Sequence, residues 1–253
     1  CSDIDDIIVF RKDGTYSISK VSTKAFFGKN IVNIAVFRKN DDRLTYNAVY
    51  TDGKTKKTFA KRFNVTSITR DKEYNVTKGN TGSKMLYFST NPNGEAELVN
   101  VYLHAAAKAR NKLFDYDFSE LAIKGRTSQG NIVSKHPVRK VDLKEKGVST
   151  IGGRDIWYEQ NIGRLNIHSR GNYLGSFQTE DQILVIYNNG DYELTNHELT
   201  NHYANKEIAL IEKFNPKHVL SILHYDGNNK NYYVKRFIIE TTTQGKRFSF
   251  ITE

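Results

Sequence analysis

The sequence predicts an all-β, propeller-like fold of five or six four-stranded blades, and three observations carry that expectation. β-branched and aromatic residues alternate with polar ones at a period of two along most of the 253 residues. Asp-Gly and Asn-Gly dipeptides break these runs where tight turns are needed, because glycine accepts the backbone conformations such turns demand. The same strand-turn-strand phrase then recurs at roughly 40 to 60 residues, the spacing of radial blades rather than of a sandwich.

In chain order, Ile7–Phe10, the turn Arg11–Gly14 and Thr15–Val21 form the first hairpin phrase. The second runs from Tyr46 through Asp52-Gly53 and a Lys/Thr-rich spacer to Phe59–Phe63. The third is expected from Leu121–Ile123 through Gln129-Gly130 to Asn131–Lys135, the fourth from Ile183–Ile186 through Asn189-Gly190 to Tyr192–Leu194, and the fifth from Leu220 through Asp226-Gly227 to Tyr232–Phe237. Arg170-Gly171 marks a candidate sixth copy. Pro92 and Pro216 fall in Asn-Pro turns between copies, giving blades over roughly 3–43, 44–97, 98–163, 164–218 and 219–253 within one domain spanning 1–253. The best helical stretch, Leu103–Arg110, is too short to bury much and reads as a linker or single turn.

Charge directs the functional reading. A net charge of +10 points to a polyanionic partner. It is regional: residues 54–84 carry nine Lys/Arg against two acids, and residues 124–154 eight against two. Three loops there, Thr77–Lys84, Lys124–Gly130 and Lys144–Arg154, join glycine, hydroxyl and basic residues, which let a backbone approach a phosphate, donate to it and neutralise it. Double-stranded DNA is the expected partner. The candidate contacts are Lys24, Lys29, Lys61, Arg62, Lys78, Lys84, Lys124, Arg126, Lys135, Arg139, Lys140, Lys144, Lys146, Arg154, Lys235 and Arg236, with only one of each adjacent pair expected to face outward on a strand. The loop cations Lys78, Lys84, Lys124, Arg126, Lys144, Lys146 and Arg154 are expected to line one continuous edge.

Other chemistry finds little support. Cys1 is the sole cysteine, so neither an internal disulfide nor a cysteine-rich zinc site can form, and a cytoplasmic location is expected. Seven histidines form no ligand set, paired acids such as Asp5-Asp6 and Asp41-Asp42 read as solvated turns, and no phosphate-cradling Gly-Lys-Ser/Thr run opens a helix. No cofactor, metal or membrane span is expected. The start at Cys1 and the single Met85 suggest an excised fragment.

At its Gly-basic loops the sequence resembles a known family. Asp6–Tyr16, Lys124–Ile132 and Asp181–Ile186 are similar to the repeat of the C-terminal domain shared by the A subunits of DNA gyrase and topoisomerase IV, bacterial type IIA topoisomerases. The resemblance implies a β-pinwheel that is not itself catalytic and whose basic rim bends duplex DNA for a cleavage core elsewhere in the subunit. The remainder of the A subunit and the ATPase B subunit are the implied partners, ATP and Mg²⁺ acting outside this chain, in the bacterial nucleoid. Gyrase carries a Q-R-R-G-G-K-G box after its first hairpin; the matching Thr23–Asn30 keeps only Lys24, Gly28 and Lys29, which favours the topoisomerase IV type over gyrase. A propeller-type protein-interaction platform is the alternative of another class.

Overall fold

A computed structural model describes residues 2–22, 24–204 and 207–251. Cys1, Thr23 and Lys206, named in the sequence reading or useful as controls for it, lie outside the described residues. Among the described residues there are 21 strands in six sheets, joined by turns and two single-turn 3-10 segments, with no α-helix. The all-β expectation holds. The chain divides into two compact units, Cys1–Gly152 and Gly153–Glu253.

In the first unit, hairpin β1 (Asp6–Arg11) and β2 (Thr15–Lys20) gains β3 (Ile31–Phe37) alongside β1. A second hairpin follows, β4 (Thr45–Thr51) and β5 (Thr58–Asn64). The chain then returns to the first sheet, laying β6 (Glu73–Asn75) on β2, before β7 (Lys84–Asn91) pairs with β4. The third hairpin, β8 (Leu98–Leu103) and β9 (Leu113–Asp117), repeats the move: β10 (Ile123–Gly125) and β11 (Asn131–Ser134) go back to β5, and β12 (Val138–Glu145) joins β8. Each hairpin thus takes a third strand on its own first strand, and its second strand takes a fourth from beyond the next hairpin.

The second unit follows the same rule. Hairpin β13 (Arg154–Glu159) and β14 (Arg164–Asn166) carries β15 (Asn172–Phe177) on β13. Hairpin β16 (Ile183–Tyr187) and β17 (Asp191–Thr195) carries β18 (Ile208–Lys213) on β16, and the strand owed to β14 is reduced to one bridge from His202 to Arg164. After hairpin β19 (Leu220–Asp226) and β20 (Asn231–Phe237), β21 (Arg247–Ser249) returns to β17.

These pairings correct one expected hairpin. Residues 121–135 do not pair with one another: β10 runs parallel to β5 and β11 antiparallel to it. Gly130 does adopt the positive φ of a turn, 89°, so the local signal was real, but local sequence does not say which strand the flanking residues pair with. The true third hairpin is β8–β9, and Leu103–Arg110, read as a linker, supplies its turn. Strand exchange also makes the sheets unequal, with four, five, three, three, four and two strands.

Packing explains the burial pattern. In the first unit, Ile8, Phe10, Tyr16 and Ile18 pack on Tyr46, Tyr50, Phe59 and Phe63 of the second sheet, whose opposite face sets Val49 and Ala60 against Val99, Val101 and Phe118 of the third. The second sheet is therefore buried on both faces. The second unit repeats this around β16, with Ile183 and Val185 facing one sheet and Leu184 and Ile186 facing another.

Candidate nucleic-acid interface

The charge does not follow the two units equally. Cys1–Gly152 holds 27 Lys/Arg against 16 Asp/Glu, net +11, whereas Gly153–Glu253 holds 11 against 12, net −1. The basic excess belongs to the first unit.

Within that unit the three hairpin turns lie at one end. The Lys12 carbonyl accepts a hydrogen bond from Met85 N at 2.7 Å, and Lys84 pairs with Thr51, so the first and second turns adjoin. Ser134 pairs with Thr58 beside the second turn, and four residues later Val138 pairs with Leu103 beside the third. This end carries Lys12 in the first turn, Lys54, Lys56 and Lys57 in the second, and Lys108, Arg110 and Lys112 in the third. Lys29, Lys78, Lys84, Lys135, Arg139 and Lys140 reach it from adjoining loops and strand ends, and all six are exposed. The acids Asp5, Asp6, Asp41, Asp42, Glu95, Glu97 and Asp117 sit at the opposite strand ends.

Two acids that do lie at the basic end are occupied. Asp52 is buried and accepts from Asn80 Nδ2 at 2.7 Å and from Thr55 N and Oγ1 at 2.8 Å, which holds it below the usual carboxylate range. Asp13 accepts from Thr15 N and Oγ1. The Asp52 contacts also fasten the Thr77–Lys84 loop to the second turn. Gly53 completes that junction: its N–H donates to Ser83 Oγ at 3.0 Å, and a Cβ there would stand 2.0 Å from the Thr81 carbonyl oxygen. Only glycine permits this approach.

Lys61 and Arg62, expected as alternatives at a DNA surface, are both 2% exposed and do not belong to it. Alternation does turn them to opposite faces of β5, but both faces of the second sheet are covered. Lys61 Nζ donates to the carbonyls of Val76 at 2.9 Å and of Arg126 and Ser128 at 2.7 Å. It therefore ties together two of the basic loops identified in the sequence. Burial, with the charge of Lys78 adding to it, pushes the Lys61 ammonium down to about 7. On the other face, Arg62 bonds Asn47 Oδ1, the Leu121, Gly94 and Glu95 carbonyls and Thr150 Oγ1.

The remaining candidates divide. Lys124 is exposed on β10 and Arg126 lies over the Tyr74 ring at 4.6 Å while donating to the Ser67 carbonyl, so both flank the basic end along the outer edge of the second sheet. Lys24 is exposed in the loop before Lys29. Lys144 pairs with Asp115 at 2.5 Å, and Lys146 follows the Leu98 end of β8, at the far strand ends. β4 alone separates the two ends by about 20 Å. The single edge expected of Lys78, Lys84, Lys144 and Lys146 is not formed. Arg154, Lys235 and Arg236 belong to the second unit, where Lys235 Nζ donates to the Phe250 carbonyl and Arg236 is exposed. Sequence reasoning missed the turn cations Lys12, Lys54, Lys56, Lys57, Lys108, Arg110 and Lys112; their concentration in hairpin turns was the available signal.

No other chemistry competes. Among the described residues no group of three or more His, Cys, Asp or Glu is placed to hold a metal ion, and no helix is long and apolar enough to cross a membrane. The family model for the topoisomerase C-terminal domain of Bacteroidota matches residues 2–146 and 164–253. The chain belongs to that family. Among solved structures, this topoisomerase C-terminal domain is similar to the C-terminal domain of DNA topoisomerase IV, at 10% identity and a TM-score of 0.37 over 83% of this chain and 79% of that one. It is also similar to the DNA gyrase A C-terminal domain, at 12% identity and a TM-score of 0.29 over 85% and 84% of the two chains. A comparison with curated proteins found no match.

Proposed function

We propose that this topoisomerase C-terminal domain is a non-catalytic DNA-binding module of the topoisomerase IV A-subunit type, holding duplex DNA for a cleavage core in the rest of the subunit. The observation that carries the reading is the basic end of the first unit, where three hairpin turns and the Thr77–Lys84 loop present lysines side by side while the nearby acids are hydrogen-bonded. Hairpin turns and loops offer backbone and ammonium contacts to phosphates but no helix for a groove, so binding is sequence-independent and driven by counterion release. The place of the gyrase box supports the topoisomerase IV type, since Phe26, 86% exposed, stands where a gyrase domain carries basic and glycine residues. ATP, Mg²⁺ and the ATPase subunit act elsewhere in the assembled enzyme.

The test replaces Lys54, Lys56, Lys78 and Lys84 together with glutamine, beside a control with glutamine at Lys108, Arg110, Lys217 and Lys230. Contact with six phosphates gives a slope of log affinity against log salt of about −5 for duplex DNA, and each lost contact makes it shallower by roughly one unit. The first variant should lose several units and the control, which touches the basic end only at its third turn, fewer. Equal losses would mean that the charge acts as a diffuse cloud, and a wild-type slope near zero would remove the DNA reading altogether.

A further inference from the structure

The strand exchange leaves one position empty. Five hairpins carry a third strand on their first strand, namely β3, β7, β12, β15 and β18. Among the described residues β19 pairs only with β20, so its other edge carries no strand. An edge of seven residues directs about three or four N–H and C=O groups outward with no ladder partner.

The place where the missing strand belongs is visible. Third strands of neighbouring sheets touch, β7 against β12 and β15 against β18, so a third strand on β19 would lie against β18. A groove of about 580 Å³ occupies that position, walled by Ala209 and Leu210 of β18 and by Ser221, Ile222 and Leu223 of β19, with Phe250 also lining it. Its volume falls among ligand-binding clefts of roughly 300 to 1,000 Å³. Leu223 is 67% exposed beside it, an apolar side chain without cover.

We propose that this groove receives an extended strand from a partner polypeptide, which pairs with the open edge of β19 and completes the sixth sheet. Main-chain hydrogen bonds supply affinity in such strand addition, and alternate side chains supply specificity. The five resident third strands state the chemistry: β18, for example, alternates Ile208, Leu210 and Glu212. The β19–β20 hairpin carries Lys230, Lys235 and Arg236 against Asp226, on a chain of net charge +10, so the strand that fits has apolar residues at every second position and neutral or acidic ones between. The inference is independent of DNA binding.

The probe is a fluorescein-labelled peptide with the sequence Glu207–Phe214, titrated into the full 253-residue chain and read by anisotropy. A second peptide carries N-methyl groups on alternate amides, which keep the side chains and remove one edge of backbone donors. Saturable binding is expected, weakened tenfold or more by N-methylation and by either Leu223→Lys or Ala209→Arg, two exposed positions on opposite walls whose folding is checked by thermal melting. Absence of saturable binding, or equal binding of both peptides, would overturn the proposal. Self-association of the chain that Leu223→Lys abolishes would also overturn it, because a second copy would then fill the groove.

Discussion

Lys61→Met tests the link between core and interface, because Lys61 is buried yet holds two basic loops. The substitution keeps most of the aliphatic volume and removes three hydrogen bonds, to Val76, Arg126 and Ser128. Leaving a buried carbonyl unpaired costs about 1 to 3 kcal/mol, and only the Val76 bond is fully buried, so a net loss of about 2 kcal/mol is expected at pH 7. The pH dependence is more diagnostic. Lys61 falls from 10.5 to about 7 in the fold, chiefly through burial, so between those values the unfolded chain binds the proton and the folded chain does not. Stability contributed by this site therefore rises with pH across that window. The full rise is about 5 kcal/mol at roughly 1.4 kcal/mol per unit, of which about 2 kcal/mol falls between pH 7 and pH 9.

Urea unfolding of both proteins, followed by far-UV circular dichroism at pH 7 and pH 9, measures the difference. The gap between wild type and Lys61→Met should widen from about 2 to about 4 kcal/mol as pH rises. A gap that stays constant or narrows would show that burial does not depress Lys61, and the reasoning would fail. The variant should also weaken duplex binding although no exposed charge has been removed, because the Thr77–Lys84 and Lys124–Gly130 loops lose their shared anchor.

Two further outcomes follow from the same unit. Arg62→Leu strips five hydrogen bonds from between the second and third sheets and should cost about 3 to 5 kcal/mol, seen as a lower urea midpoint; a loss under about 1 kcal/mol would mean that solvent replaces these bonds. Gly53→Ala drives a Cβ into the Thr81 carbonyl and should reduce both stability and DNA affinity, whereas Gly125→Ala, with nothing within 4 Å of its Cβ, should leave stability within about 0.5 kcal/mol, as thermal melting of the pair would show.

Much of the fold was legible because strand alternation and turn glycines are local signals. Four of the hairpin turns announced themselves in this way, at Gly14, Gly53, Gly190 and Gly227. The third did not, because its turn of His104, alanines and basic residues contains neither glycine nor Asn-Gly, while Gly130 imitated a hairpin turn between two strands that both pair with β5. Which strand a segment pairs with is decided by packing across the chain, and no window of ten residues contains it. The basic character was legible as well, but its placement was not.

The misplacement of Lys61 and Arg62 shows why. Both sit in a strand whose alternation implies one inward and one outward face, and a strand at the surface would have shown one of them. β5 instead lies in a sheet covered on both sides, so two cations that looked like DNA contacts became internal ties, each satisfied by carbonyls of segments that arrive from a neighbouring sheet. Strand exchange creates those arrivals: Val76 follows β6 on its return to the first sheet, and Arg126 and Ser128 lie between β10 and β11 on their return to the second. A buried donor with three hydrogens suits a junction where several returning loops leave carbonyls unpaired. The cations left for phosphate are those that alternation does not govern, the lysines of the turns themselves, whose side chains leave the end of the sheet whatever its faces touch.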